Sequence, residues 1–312
     1  SVAIDGSTCV IGAPNGNSGT GSAYVFTNTG GTWNQAAELT ATGGASSDNF
    51  GYSVAIDGST CVIGAPGTDS GAGSAYVFEY VDTLNEWIQW GPALTATGVA
   101  SGDRFGTSVA IDGSTCVIGA WGTNSSTGSA YVFTNTGGTW SQVAELTATG
   151  GASGDGFGYS VAIDGSTCVI GANGTNSGAG SAYVFTNTDG SWSQVAELTA
   201  TGGASGDRFG SSVAIDGSTC VIGAPNGNSG TGSAYVYGSG ISDVDNDGAC
   251  CYDGLCFSIT ESECTAVGGS FTAEACSADT ACPTPCSSDV DNDGDIDIQD
   301  LLQMLTDWGA CP

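Results

Sequence analysis

The sequence contains no histidine and no lysine, and only two cationic side chains, Arg104 and Arg208, against 32 acidic ones. Without histidine there is no Ser-His-Asp or Cys-His pair, no imidazole general base and no His-ligated zinc site. Without lysine there is no Schiff base and no P-loop lysine. Most enzyme classes are excluded on these grounds, and the chain is read as a non-enzyme. A net charge of −30 excludes nucleic acid and anionic membrane surfaces as partners, because both are bound by a basic face. It suits divalent cations and an extracellular medium. No run approaches the ~18 apolar residues of a membrane span, so direct membrane insertion is not expected. There is no signal peptide, and the chain opens inside a repeat, so Ser1 reads as a processed or truncated start.

What is present is dominated by glycine, 53 of 312 residues, and by repetition. The string SVAIDGSTCVIGA begins at Ser1, Ser53, Ser108, Ser160 and Ser212, at spacings of 52, 55, 52 and 52 residues. Each copy runs through a Gly/Asn/Ser loop to GSAYVF or GSAYVY. All but the last then continue with a Trp-x-Gln segment, LTATG and a Phe-Gly step. Val54–Ile56 and Thr60–Ile63 flank Asp57-Gly58, a hairpin signal because both positions accept positive φ. Ala75–Phe78 reads as a third strand and Trp140–Thr147 as a fourth. Four short strands in about 50 residues, with glycine-rich turns, is the pattern of a propeller blade. No segment carries the 3.6-residue period of a helical solenoid. A parallel β-helix stays open, although its coils are usually shorter.

Phe50-Gly51, Phe105-Gly106, Phe157-Gly158 and Phe209-Gly210 recur in register with Gly12-Ala13-Pro14, Gly64-Ala65-Pro66 and Gly223-Ala224-Pro225. On these residues, residues 1–240 resemble FG-GAP repeats, the units of the integrin α-chain propeller and of many secreted bacterial proteins. The resemblance implies an all-β propeller, here of five four-stranded blades with one strand missing. Trp121 and Asn173 replace the proline in two copies. The family's DxDxDG calcium loop is reduced to Asp-Gly, so no blade calcium site is expected, and the family's usual seven blades are five here. The strand missing from the last blade either lies upstream of Ser1 in a precursor or is donated by another chain, because an open strand edge is a template for strand addition.

Within the repeat, Cys9, Cys61, Cys116, Cys168 and Cys220 read as small buried apolar residues rather than as metal ligands or disulfides. Asp48, Asp103, Asp155 and Asp207 read as turn residues accepting backbone N–H bonds rather than as a cation or catalytic site. Trp33, Trp87, Trp140 and Trp192 suit stacking between blades, whereas Trp121 stands in a loop as the exposed aromatic. Asn124 and Asn173 head N-glycosylation sequons in equivalent loops.

From Ile241 the composition shifts, and the last 72 residues hold 15 of the 32 acids and 8 of the 13 cysteines. Cys250, Cys251, Cys256, Cys264, Cys276, Cys282, Cys286 and Cys311 read as a disulfide framework and so an oxidising compartment. A zinc cluster is the weaker alternative, since CxxC knuckles are absent. Residues 241–285 hold an acidic half-loop and a Cys-rich module, which resembles small modules of secreted planctomycete-type bacterial proteins. Residues 286–312 hold the run DVDNDGDIDIQD, a calcium loop. Asp289, Asp291, Asp293, Asp297 and Asp300 stand at loop positions 1, 3, 5, 9 and 12. Gly294 takes the turn at 6, and Asp295 offers its carbonyl at 7. A short amphipathic helix, Leu301–Leu305, is expected after it. This module resembles a dockerin repeat, and Asp243, Asp245 and Asp247 look like the start of a second, incomplete loop.

These features point to a secreted, cell-surface structural or adhesive protein with bound Ca2+, whose partners are copies of itself, another surface protein or a glycan. A glycan- or protein-binding module delivered by a dockerin-like tail is the alternative. A glycosidase using an Asp/Glu pair is disfavoured by the near-identity of the repeats.

Overall fold

The structure, a computed structural model, describes residues 1–238 and three further strands at 248–252, 255–259 and 270–272. The chain divides into two compact units, Ser1–Asp243 and Val244–Pro312. The first is a five-bladed all-β propeller. Blade 1 is β1 (Val2–Asp5), β2 (Thr8–Ala13), β3 (Ser22–Thr29) and β4 (Thr32–Leu39); blade 2 is β5 (Ser53–Asp57), β6 (Thr60–Ala65), β7 (Ser74–Val81) and β8 (Glu86–Gln89). Blade 3 is β9 (Ser108–Asp112), β10 (Thr115–Ala120), β11 (Ser129–Thr136) and β12 (Thr139–Leu146); blade 4 is β13 (Ser160–Asp164), β14 (Thr167–Ala172), β15 (Ser181–Thr188) and β16 (Ser191–Leu198). Blade 5 has three described strands, β17 (Ser212–Asp216), β18 (Thr219–Ala224) and β19 (Ser233–Tyr237). Each blade is an antiparallel meander in chain order. In the second unit, β20 (Gly248–Tyr252) lies between β21 (Leu255–Ile259) and β22 (Ser270–Thr272), with Cys251 opposite Cys256 in the register.

The first hairpin of each blade differs from its sequence reading by one residue. Asp57 pairs with Thr60, so the turn is Gly58-Ser59, and only Gly58 has positive φ, +55°. Keeping Asp57 in the strand has a purpose. Its Oδ2 accepts the Gly113 N–H of the next blade at 2.5 Å. Asp5 does the same for Gly58 at 2.6 Å and Asp112 for Gly165 at 2.5 Å, and Asp164 caps Gly217.

The core lies between blades rather than within them. The first strands stack on one another around the axis, β1 on β5, β5 on β9, β9 on β13 and β13 on β17. Alternate residues of each strand therefore face opposite neighbours. Val10 and Val25 of blade 1 meet Val54, Ile56, Cys61 and Ile63 of blade 2. Phe50, fully buried, plugs this layer with its ring edge-on to Tyr76 at 5.4 Å and Phe78 at 5.8 Å. Phe105, Phe157 and Phe209 repeat the arrangement.

The glycine of each Phe-Gly step explains the rest of the motif. Phe50 bridges in parallel to Gly21, while the Gly51 N–H donates to the Gly64 carbonyl of the following blade at 3.0 Å. A Cβ on Gly12 would lie 1.9 Å from the Gly51 carbonyl oxygen, and one on Gly171 would lie 2.0 Å from that of Gly210. Backbone touches backbone here, so no side chain fits.

The arc is open at its ends. Among the described strands, β17 does not stack back on β1 as the other first strands stack. Val2 and Ile4 are 67% and 63% exposed, whereas their counterparts Val54 and Ile56 are buried. On the far side Val236 is 70% exposed, while its counterpart Val77 is buried. Among the described residues, blade 1 thus presents an uncovered upstream face, and blade 5 an uncovered downstream face.

Phe157→Ala removes one plug and should lower the unfolding free energy by about 3–5 kcal/mol, the range for a buried phenylalanine, with Gly171→Ala also strongly destabilising. Urea denaturation checks this; a loss under about 1 kcal/mol for Phe157→Ala would show that the interblade layer does not hold the propeller.

Candidate functional site

The repeated polar side chains are occupied by the scaffold itself. Asp48 Oδ2 accepts the Ala45 N–H at 2.7 Å, and Asp103, Asp155 and Asp207 hold Ala100, Ala152 and Ala204 at 2.7–2.8 Å. These are the turn carboxylates their spacing suggested. The outer-strand glutamates are equally committed. Glu145 Oε1 accepts Ser129 Oγ at 2.9 Å and the Tyr131 hydroxyl at 3.3 Å, with the same trio at Glu38 and Glu197. Burial first, and then the Glu145 charge, push the Tyr131 phenol up to about 12, so the trio keeps its phenolic proton. The Trp-x-Gln glutamines, whose role was not read from the sequence, staple neighbouring blades. Gln89, Gln142 and Gln194 accept the N–H groups of Thr42, Thr97 and Thr149 at 2.8–2.9 Å. Among the described residues no three Cys, Asp or Glu side chains converge to hold a metal.

Cys61, Cys116, Cys168 and Cys220 are buried and unbonded, as expected of small apolar residues. Burial holds the Cys61, Cys116 and Cys168 thiols far above their ordinary value. Cys9 is half-buried. Trp87, Trp140 and Trp192 pack against the interblade layers, while Trp33 is 43% exposed.

Clefts among the described residues include two that hold aromatic side chains. One, of about 700 Å3, lies at the outer strands of blades 1 and 2 and is lined by Glu38, Tyr80, Asn85, Glu86 and Trp87. Its Glu38 accepts hydrogen bonds from Ser22 and Tyr24 through Oε1. The other, of about 400 Å3, lies where blades 3, 4 and 5 meet, between Trp121, Tyr159, Asn173 and Arg208. Trp121 is half-buried there. Of the two sequon asparagines, Asn124 is exposed in a tight turn, Thr123–Ser126, whose Asn124, Ser125 and Ser126 have positive φ. Asn173 is buried, and its amide donates to Ser211 Oγ at 3.3 Å.

Of the cysteines expected to form disulfides, Cys250 and Cys251 lie on β20 and Cys256 on β21. Cys264, Cys276, Cys282, Cys286 and Cys311 lie outside the described residues, as do the calcium loop Asp289–Asp300 and Asp243, Asp245 and Asp247.

The FG-GAP repeat description matches residues 33–78, 92–133, 140–185 and 192–237, more than half of the chain. The chain belongs to the FG-GAP repeat family. Three of the four FG-GAP matches begin at an outer-strand tryptophan, and each ends on the third strand of the following blade. An FG-GAP unit here is therefore one blade junction, with its Phe-Gly plug inside. No curated protein matches the chain. No described helix of this FG-GAP protein is long and apolar enough to cross a membrane.

Alkylation needs the thiolate, so brief iodoacetamide treatment of the native FG-GAP protein near pH 8 should label Cys9 at least about tenfold faster than Cys61, Cys116 or Cys168. Peptide-resolved mass spectrometry reads the ratio; equal labelling would show that the blades open readily.

Proposed function

We propose that this FG-GAP protein is an extracellular structural or adhesive protein that assembles head to tail into a surface fibre. The observation that carries this reading is that the two uncovered faces are the two halves of a junction that the chain already makes four times. The upstream half consists of Val2, Ile4, Cys9, Ile11 and Trp33 on blade 1, and the downstream half of Val221 and Val236 on blade 5. Their counterparts interlock at every internal junction. The polar fittings match as well. Asp216, at the position of the four carboxylates that cap a following turn, has no such partner among the described residues, and neither has the Gly6 N–H. Among the described strands, β19 keeps an unpaired outer edge, so strand addition from a neighbouring chain would complete the open blade.

Because the two faces differ, the contact is heterologous and generates a ring or an open filament rather than a twofold dimer. The net charge of −30 opposes association, and salt or Ca2+ relieves this by screening and binding. In this reading the Cys-rich and dockerin-like tail, with Ca2+ on Asp289–Asp300, anchors the fibre in an oxidising, secreted setting. The protein carries no catalytic role, since its repeated carboxylates are held in turns and strand networks. The alternative, a secreted glycan- or protein-binding module, is favoured by one observation, the cleft beside Trp121.

Paired blocking variants test the assembly. Val2→Asp with Ile4→Asp blocks one face, and Val221→Asp with Val236→Asp blocks the other. Sedimentation and electron microscopy should find filaments for the unmodified chain, monomers for each variant alone, and dimers when the two variants are mixed. An unmodified chain that stays monomeric at high concentration and moderate salt overturns the reading. For the tail, calorimetric titration should find Ca2+ binding that Asp289→Asn with Asp300→Asn abolishes. Chelation should lower the tail's melting temperature and leave that of the propeller unchanged.

A further inference from the structure

The five repeats are near copies, so a position where one copy departs from the others is one the scaffold does not require. Three departures converge in space. Trp121 stands where Pro14, Pro66 and Pro225 stand, Asn173 takes the same place one blade later, and Gly156 stands where Asn49, Arg104 and Arg208 stand. All three line the cleft of about 400 Å3 where blades 3, 4 and 5 meet, together with Tyr159 and Arg208. This volume lies within the range of small-molecule sites, about 300–1,000 Å3.

The other junctions show why the cleft is open here. Between blades 1 and 2, the Asn49 amide donates to the Pro14 carbonyl at 3.3 Å and occupies the corresponding space. Between blades 2 and 3, the Arg104 guanidinium lies along Gly71, about 3.4 Å from where a Cβ would stand. Gly156 has no side chain to do either. It is buried with φ +68°, and a Cβ there would lie 3.7 Å from Asn173 Oδ1. A longer side chain at 156 would therefore crowd the Asn173 end of the cleft.

We propose that this cleft binds a short saccharide bearing one carboxylate, with the Trp121 and Tyr159 rings against the sugar face, Asn173 on its hydroxyls and Arg208 on its carboxylate. Aromatic rings offer an apolar surface to the C–H faces of a pyranose, and a few fixed polar groups then set its orientation. Trp121 is half-buried and so held in place, while Tyr159 is 40% exposed at the rim. Asn173 is fixed through its Nδ2 by Ser211, and its Oδ1 lies on the side that Gly156 leaves clear. Arg208 is one of two cations in a chain of net charge −30, yet it forms no salt bridge among the described residues. A guanidinium pairs with a carboxylate in a planar, two-point geometry. A polyanion would meet the repulsion of the whole molecule, so a single acidic group is the better match. The site gives the binding-module reading a location and does not depend on assembly.

The test uses residues the repeat already tolerates. Gly156→Arg and Trp121→Pro restore what other blades carry at these positions, and Arg208→Gly copies Gly156. Thermal unfolding should leave all three variants folded. The probe is a glucuronate-terminated disaccharide titrated by calorimetry, with the corresponding neutral disaccharide as control. The unmodified chain should bind the acidic sugar saturably and the neutral one at least about tenfold more weakly, as should Arg208→Gly for the acidic sugar, a loss of about 1.4 kcal/mol. Gly156→Arg and Trp121→Pro should weaken both sugars. Equal binding of the two sugars overturns the acidic class. No saturable binding, or binding that survives Gly156→Arg and Trp121→Pro, overturns the site. Neither failure bears on assembly, which the face-blocking variants read separately.

Discussion

The propeller depends on a contact between two strips of bare backbone. The glycine of each Phe-Gly step lies against the glycine of the preceding blade's Gly-Ala pair so closely that a single Cβ would sit about 2 Å from a carbonyl oxygen. That approach lets one connector pair with both blades it joins. It also drops its phenylalanine into the layer between them. Every other junction feature gathers around this contact: the valine and isoleucine faces, the aspartate caps on neighbouring turns and the glutamine staples.

A junction built in this way is modular. Each blade has one face that receives a plug and one that is plugged against, so blades add in one direction only, as in other repeat architectures. The same modularity leaves a cost at the ends. The terminal faces keep their apolar residues, Val2 and Ile4 on one side and Val236 on the other, with nothing among the described residues to bury them. Exposed complementary patches of this kind mark interaction surfaces, and the assembly reading rests on them. The saccharide reading rests on the opposite property, local departure from the repeat, and the two use different parts of the molecule.

Near-identity of the repeats also constrains chemistry. A carboxylate repeated four times in the same turn has the same backbone partner four times, as Asp48, Asp103, Asp155 and Asp207 do. Its lone pairs are used for shape. Cys61, Cys116 and Cys168 follow the same rule, and their burial makes thiolate formation too unfavourable for reactivity.

Strand number and order, blade count, the roles of the repeated Asp and Cys residues and the shortfall of one described strand in blade 5 were legible in the amino-acid order, because strand alternation and turn chemistry are local and were repeated five times. The hairpin turn was read one residue early, since Asp57 leaves the turn only to reach Gly113 in the next blade, a contact 56 positions away. Sequence alone also set out the calcium loop and the cysteine series of the tail. Tertiary structure decided the rest. It put the core between blades instead of inside them, left the two end faces uncovered among the described residues, buried Asn173 while exposing Asn124, and brought Trp121, Gly156, Asn173 and Arg208 to one cleft. These are relations between residues on different blades, brought together where the glycine backbones of successive blades approach closely, and no pattern within one blade encodes them.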